Sequence, residues 1–230
     1  MAAQPQAHSQ AAPSVKLLVD GRLVESATTE WRDIVNPATQ EVLARVPFAT
    51  AAEIEGAIAS AAKAFVAWRE TPVGARMRIM LKLQELIRRD MKKIAACLTA
   101  EQGKTLADAE GDVFRGLEVV EHACSVGSIQ MGEHLEQVAG GVDVYSVRQP
   151  LGVCAGITPF NFPAMIPLWM FPMAIVAGNT FVLKPSEQDP MTTMLLAELA
   201  LEAGVPPGVL NVIHGDKSAD NALSGHTAIR

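Results

Sequence analysis

Strand-like alternation of apolar and polar residues marks the beginning of the chain. Residues 15–26 (VKLLVDGRLVES) alternate around Asp20-Gly21, a pair that favours a tight hairpin turn. Residues 33–48 alternate in the same way around a turn at Asn36-Pro37. Two antiparallel hairpins are therefore predicted. Residues 1–14 are rich in Ala, Gln, Pro and Ser, without a basic start or an apolar run, which predicts a disordered tail and no targeting peptide.

Helical spacing replaces the alternation after Thr50, which forms a capping-box pattern with Glu53. Apolar residues then recur every three to four positions through several successive segments, which indicates amphipathic helices packed on a core. We predict separate helices that begin after Thr50, at Pro72, at about Asp90 and after Thr105. The third is expected to end at Gly103 and the fourth near Met131.

The second half of the chain has the pattern of an α/β unit. Residues 142–148 alternate and predict an exposed antiparallel strand ahead of this unit. Apolar strands are predicted at 151–157, 180–183 and 209–213, with helices at 163–177, 190–202 and 218–224. The β-α-β-α-β order predicts right-handed crossovers and a parallel sheet. The fold class is therefore α/β, with helices and hairpins joined to an incomplete, Rossmann-like parallel sheet over residues 15–230.

Composition and charge exclude several classes of function. The net charge of −6 opposes nucleic-acid binding, because phosphate recognition requires a basic surface. The three cysteines, at positions 97, 124 and 154, have no metal or redox spacing, and their odd number suits a reducing, cytoplasmic location. The five histidines are scattered, so no metal site is expected.

One long uncharged stretch, between Arg148 and Lys184, is long enough to span a bilayer. It contains prolines at positions 150, 159, 163, 167 and 172. A strand–helix–strand segment buried in an α/β core lacks charge for the same reason, since parallel strands are covered on both faces. We therefore expect a core segment and no membrane partner.

Polar residues follow two of the predicted parallel strands, where ligands of such sheets bind. Lys184 and Glu187 follow one strand, and there they can hold ribose hydroxyls of a dinucleotide. The carboxylate would repel a 2′-phosphate, which favours NAD over NADP. The alternative is that both residues simply solvate the end of a strand and the start of a helix.

The other strand ends in TPFNFP (residues 158–163), where a Gly-rich phosphate loop would be expected. The Asn161 amide in this stiff loop can donate to a developing oxyanion, or it can satisfy backbone groups of the loop. Arg115 can capture a substrate carboxylate, or it can form a salt bridge with Asp112 or Glu118. Cys154 lies within a strand and is interpreted as core and not as a nucleophile.

Several segments in order resemble the aldehyde dehydrogenase superfamily. They are NPATQEV (36–42), EQGKTLADAEGDVFRG (101–116), RQPLGVCAGITPFNFP (148–163), GNTFVLKPSE (178–187) and PPGVLNVIHG (206–215). The resemblance covers about residues 15–215 and is greatest to the CoA-acylating methylmalonate-semialdehyde dehydrogenases. Phe160 contributes to that preference, because many other relatives carry Trp at this position.

The resemblance implies roles for individual residues. Asn161 would be the side-chain donor of the oxyanion hole, and Arg115 would contact the carboxylate of the substrate. Residues 142–148 would belong to a hairpin that joins subunits of a homo-oligomer. The residues implied to bind the cofactor are Thr158 and Phe160, beside the nicotinamide, and Lys184, Glu187 and Gln188, at the adenosine ribose.

The implied reaction oxidises methylmalonate or malonate semialdehyde with NAD as cofactor and CoA as co-substrate. A thiolate attacks the aldehyde, hydride leaves to NAD, and CoA takes the acyl group with loss of CO₂, which gives propionyl-CoA or acetyl-CoA. Valine and pyrimidine breakdown is the implied pathway. Two other interpretations stay open: part of another aldehyde dehydrogenase, or a non-catalytic nucleotide-binding or interaction module.

The resemblance also implies a member about twice as long, with its nucleophilic cysteine in a separate catalytic domain. We therefore expect that the 230-residue chain alone does not turn over aldehyde. The measurement is NADH absorbance after the purified chain is mixed with methylmalonate semialdehyde, NAD and CoA. Robust NADH formation would contradict this expectation.

Overall fold

The computed structural model describes residues 12–230, so most of the predicted tail lies outside the described residues. The first described residues already join the fold. Ser14 forms a bridge with Arg45, and the Pro13 carbonyl accepts a hydrogen bond of 2.8 Å from the Arg45 amide.

Strands and helices alternate from Val153 onward, as expected for an α/β unit, and two hairpins and four helices precede them together with a third hairpin at residues 134–145. The strands are β1 (Leu17–Val19), β2 (Arg22–Val24), β3 (Trp31–Val35), β4 (Val42–Pro47), β5 (His134–Ala139), β6 (Val142–Tyr145), β7 (Val153–Ile157), β8 (Thr180–Lys184) and β9 (Leu210–Val212). The helices are α1 (Ala51–Trp68), α2 (Val73–Gln102), α3 (Leu106–Ala123), α4 (Val126–Ile129), α5 (Met165–Val176), α6 (Pro190–Glu202) and α7 (Lys217–Ser224). The predicted α/β class is confirmed.

The central sheet has the order β2-β1-β9-β8-β7. The predicted parallel pairing of β7, β8 and β9 is confirmed. The first hairpin also joins this sheet, because β1 pairs with β9 in the antiparallel sense through Leu18 and Val212. The physical reason is burial: Leu17 and Leu18 of the first hairpin are fully buried in the core.

Two of the predicted helix boundaries are wrong. The helices predicted to begin at Pro72 and Asp90 are one continuous α2, because no Gly or Pro interrupts the segment after its first turn. It ends at Gln102, and the predicted stop at Gly103 is confirmed, because this residue caps the helix in the left-handed conformation with φ 92°. The helix predicted to reach Met131 ends at Ala123, and the short α4 follows.

The exposed strand predicted at residues 142–148 is confirmed as β6, over a shorter range. Its partner β5 was not predicted, because HLEQVA has no buried face to impose an alternating pattern. The exposed fractions of Leu135, Val144 and Tyr145 are 59%, 50% and 74%. None of the helices within residues 12–230 has the length and apolarity required to cross a membrane.

Helices cover both faces of the central sheet. One apolar core lies among α2, α3, α5 and α6 on one face, and a smaller core lies beneath α1 and α7 on the other. Helices α3 and α5 approach each other closely at Gly116. A Cβ atom there would lie 2.7 Å from Leu168 Cδ1 and 3.2 Å from the Met165 backbone. This contact fixes the start of α5, which follows the TPFNFP loop.

We predict that Gly116→Ala lowers the free energy of unfolding by about 1–3 kcal/mol, because the added methyl group overpacks the α3–α5 contact. Gly111→Ala on the same helix is the matched control, because its nearest contact would be 3.8 Å away, at Arg115 Nη1. The control is expected to stabilise the protein by about 0.5–1 kcal/mol through helix propensity. Urea denaturation measures both, and an equal effect of the two substitutions would contradict the packing argument.

Candidate cofactor and oxyanion site

The two loops that carry the predicted site residues begin side by side at the carboxyl ends of β7 and β8. Ile157 pairs with Lys184 in the parallel register. The Thr158 amide then donates a hydrogen bond of 3.1 Å to the Lys184 carbonyl, one residue beyond the strand. The TPFNFP loop and Glu187 therefore lie at the same rim of the sheet.

One open cavity of about 330 Å³ brings all the predicted cofactor residues together. Its lining includes Thr158, Phe160, Lys184, Glu187 and Gln188. Ile157, Pro159, Ser186 and Asp220 complete it. The cavity combines apolar walls with charged groups, the combination that small-molecule and cofactor sites require.

The Lys184 ammonium is buried and held from several directions. Its Nζ lies 3.0 Å from the Gly215 carbonyl, 3.1 Å from Asp220 Oδ1 and 3.7 Å from Glu187 Oε2. The side chain is only 3% exposed, so these partners compensate the cost of burying its charge. Asp220, on α7, was missed by sequence reasoning, because only the folded sheet brings the two residues together.

Glu187 is shared between Lys184 and Arg32. Arg32 Nη1 lies 3.0 Å from Glu187 Oε1, with 45% of the arginine side chain and 23% of the glutamate exposed. A pair that is this accessible contributes little stability, about 0–1 kcal/mol. A ligand hydroxyl can therefore bind Glu187 in place of Arg32, or together with it, at a small cost in free energy. Sequence reasoning missed Arg32, which lies on β3, far away along the chain.

In the cavity, the Thr158 hydroxyl lacks a hydrogen-bond partner among residues 12–230 and the Phe160 ring is exposed. The Thr158 side chain is buried, and its Oγ1 has no hydrogen-bond partner within the described residues. Phe160 exposes 51% of its surface. An unpaired buried hydroxyl and an exposed ring are what a bound ring system with polar substituents would satisfy. The residues present therefore fit a nicotinamide group.

Asn161 lies at the surface, beyond the cavity. Its carbonyl accepts a hydrogen bond of 2.8 Å from Lys104 Nζ. Among residues 12–230 the Asn161 side-chain amide makes no hydrogen bond, so it does not satisfy the backbone of its own loop. The amide is accessible to a ligand, although its role as an oxyanion donor stays a prediction.

Arg115 lies on the exposed side of α3, outside the cavity. Neither of the salt bridges considered for it, to Asp112 or to Glu118, is present in the described part of the chain. Asp112 instead pairs with Lys104. The Arg115 carbonyl accepts a hydrogen bond of 3.2 Å from Trp169 Nε1, which places this part of α3 beside the exposed Trp169 of α5.

A second cavity of about 340 Å³ adjoins the first and shares Phe160 and Gln188 with it. Two buried acids, Glu101 and Asp189, line it. Burial raises the pKa of Glu101 to about 7, although its carboxylate accepts hydrogen bonds of 2.8 and 2.6 Å from the first amides of α6. Burial and the neighbouring Glu101 raise the pKa of Asp189 to about 8, and neither of its oxygens has a hydrogen-bond partner in residues 12–230.

The cysteine thiols lack the features of a nucleophile. Burial raises the pKa of Cys97 to about 12, with a smaller contribution from Glu101. Burial also raises the pKa of Cys124 and Cys154. Thiolate formation is therefore opposed at each position. Over residues 12–230, no cluster of three or more His, Cys, Asp or Glu side chains is arranged to hold a metal ion.

Comparison with known proteins agrees with this architecture. The sequence model described as "Aldehyde dehydrogenase family" matches residues 23–230. The chain is 58% identical to the mitochondrial acylating methylmalonate-semialdehyde dehydrogenase of Arabidopsis thaliana, over 96% of the chain and 36% of the relative. It is also 58% identical to the human methylmalonate-semialdehyde/malonate-semialdehyde dehydrogenase, over 96% of the chain and 42% of the relative.

Solved structures give the same result. The crystal structure of a methylmalonate-semialdehyde dehydrogenase from Sinorhizobium meliloti, described as putative and complexed with NAD, superposes with a TM-score of 0.93 at 44% identity. The match covers 96% of this chain and 45% of that one. The chain belongs to the aldehyde dehydrogenase family, a family of oxidoreductases, and it spans less than half the length of these relatives.

We predict that Asp189→Asn makes the protein progressively more stable than the wild type as pH rises. Because the folded pKa of Asp189 is raised to about 8, its contribution to stability is present below its ordinary pKa of 3.8 and is lost as pH rises through about 8. Between about pH 5 and pH 9, the unfolding free energy of the variant should increase relative to that of the wild type by at least about 1 kcal/mol.

Asp216→Asn is the control with the opposite sign. Hydrogen bonds from the Ser218 side chain and amide lower the pKa of Asp216, so its contribution is present above its ordinary pKa and is lost as pH falls. This variant should be less stable than the wild type at neutral pH and approach it in acid. Chemical denaturation across the pH range measures both, and a pH-independent effect of Asp189→Asn would refute the burial argument.

Proposed function

We propose that this chain is the NAD-binding portion of a CoA-acylating methylmalonate-semialdehyde dehydrogenase. The observation that carries the proposal is the convergence of Thr158, Phe160, Lys184, Glu187 and Gln188 on one cavity at the carboxyl ends of β7 and β8. The names of the Arabidopsis and human relatives support the substrate class, and the NAD complex of the Sinorhizobium meliloti structure supports the cofactor.

The cavity residues divide the binding of NAD between its two ends. Glu187 would accept hydrogen bonds from the adenosine ribose, with Lys184 beside it and Gln188 at the rim. Thr158 and Phe160 would contact the nicotinamide, where the buried hydroxyl and the exposed ring are unsatisfied. When bound, NAD supplies the hydride acceptor.

The neighbouring loop would stabilise the reacting carbonyl group. The accessible Asn161 amide would donate a hydrogen bond to the oxygen as negative charge develops on it. Arg115, exposed and without an ion pair in the described residues, would bind the carboxylate of methylmalonate or malonate semialdehyde. CoA is the proposed acyl acceptor, and valine breakdown is the proposed pathway.

The exposed β5–β6 hairpin supports a homo-oligomer in the proposed function. Leu135, Val144 and Tyr145 give it an accessible apolar surface that association would bury. A cytoplasmic location stays a prediction from the N-terminal composition and the cysteine count. The names of the Arabidopsis and human relatives describe those proteins as mitochondrial.

We predict that the purified chain binds NAD more tightly than NADP, and that Glu187→Gln weakens NAD binding by about tenfold. The substitution removes the charge from the proposed ribose acceptor, and a hydrogen bond to a charged group contributes about 1.5 kcal/mol or more. It should also reduce the preference for NAD over NADP, because the carboxylate no longer repels a 2′-phosphate. Isothermal titration calorimetry measures the dissociation constants.

Glu110→Gln is the matched control, because Glu110 is an exposed glutamate on α3 that does not line the cavity. It should leave both dissociation constants unchanged. An unaltered affinity for NAD in Glu187→Gln would contradict the assignment of the ribose to this residue.

A further inference from the structure

Lys104 connects the α2–α3 junction to the loop that carries Asn161. Its Nζ donates hydrogen bonds of 2.8 Å to Asp112 Oδ2 and 2.8 Å to the Asn161 carbonyl. The same ammonium lies 4.5 Å from the centre of the Phe162 ring. The lysine therefore contacts two consecutive residues of the loop and a carboxylate on α3.

Asp112 extends this connection to the other end of the loop. Its side chain is fully buried, and Oδ1 accepts a hydrogen bond of 2.7 Å from the amide of Met165, the first residue of α5. The Lys104–Asp112 pair consequently holds the loop at Asn161 and again at Met165. The contact at Asn161 and the contact at Met165 both involve tightly packed elements, because α3 meets α5 at Gly116.

Asn161 depends on this pair for its position. The bond from Lys104 is the only hydrogen bond that Asn161 makes within residues 12–230. A donor that stabilises a developing charge contributes most when it is held in place before the reaction. Fixing the carbonyl of Asn161 limits the positions that its side-chain amide can reach.

We propose that Lys104 is a positioning residue, which orders the Asn161 loop through its contacts with the Asn161 carbonyl, Phe162 and Asp112. The inference rests on the proposed function only for the role of Asn161 in the reaction. Thr158, at the start of the loop, is held separately by its hydrogen bond to the Lys184 carbonyl. Loss of Lys104 should therefore disorder Asn161 and Phe162 but leave the cofactor cavity intact.

The test compares Lys104→Met, Lys104→Arg and the control Lys82→Met in the 230-residue chain. Lys82 is an exposed lysine of α2 that pairs with Glu85. The readouts are the NMR signals of the Asn161 side-chain amide and the Phe162 backbone amide, hydrogen exchange at the Met165 amide, and the dissociation constant for NAD. If Lys104 only added general stability, its substitution would not affect the loop signals selectively, and arginine at this position would not restore them.

In Lys104→Met we expect broadened or multiple signals for Asn161 and Phe162 and at least about tenfold faster exchange at Met165. The dissociation constant for NAD should change by less than about threefold. Lys104→Arg should restore most of the loop order, because a guanidinium can donate to both oxygens. Lys82→Met should match the wild type in every readout.

The double variant Lys104→Gln with Asp112→Asn covers the case in which Lys104→Met fails to fold. It removes both charges of the Lys104–Asp112 pair and shortens the donor, so a disordered Asn161 signal in this folded variant supports the proposal. Unchanged loop signals in either folded variant would overturn it. The loop signals can be measured without NAD. A selective effect on the loop in a chain that does not bind NAD would therefore contradict the proposed function and not the role of Lys104.

Discussion

The parallel pairing of β7 with β8 is the constraint on which the site depends. Its register continues one residue beyond the strands, through the hydrogen bond from the Thr158 amide to the Lys184 carbonyl. Because both strands end at the same rim, TPFNFP and the segment 184–188 leave the sheet side by side. A shift of one residue in this register would turn every side chain of the shifted strand to the opposite face of the sheet and would separate Thr158 from Lys184.

Two lysines stabilise the two loops in similar ways. Lys184 is held by the Gly215 carbonyl and Asp220, and Lys104 is held by Asp112 and the Asn161 carbonyl. Each ammonium pairs with a carboxylate on a helix and also donates to a backbone carbonyl. The carboxylate compensates the charge of the buried Lys184 and of the partly buried Lys104, and the hydrogen bond to the carbonyl orients each ammonium. The loop that carries Glu187 and the loop that carries Asn161 are thus fixed by charge as well as by the sheet.

The sequence was sufficient for features that depend on local patterns. The hairpins, the capping box at Thr50 and the β-α-β-α-β order all follow from residues close together in the chain, and the structure contains them. The break predicted at Asp90 was wrong, because charged residues interrupt the apolar pattern without interrupting the helix. The pairing of β1 with β9 and the contacts of Arg32, Asp112 and Asp220 join distant segments. No local pattern reports such contacts, so only the folded structure reveals them.

The central claim is that NAD binds at the carboxyl ends of β7 and β8, and an NMR titration of the isotope-labelled chain with NAD tests it most directly. The account predicts that the backbone signals of residues 157–160 and 184–188 shift together in a saturable manner. An apolar cleft of similar size, bordered by residues 13–16 and by α6, lies elsewhere on the molecule and should give no response. Saturable shifts confined to that cleft, or no saturable shifts at the two strand ends, would contradict the account.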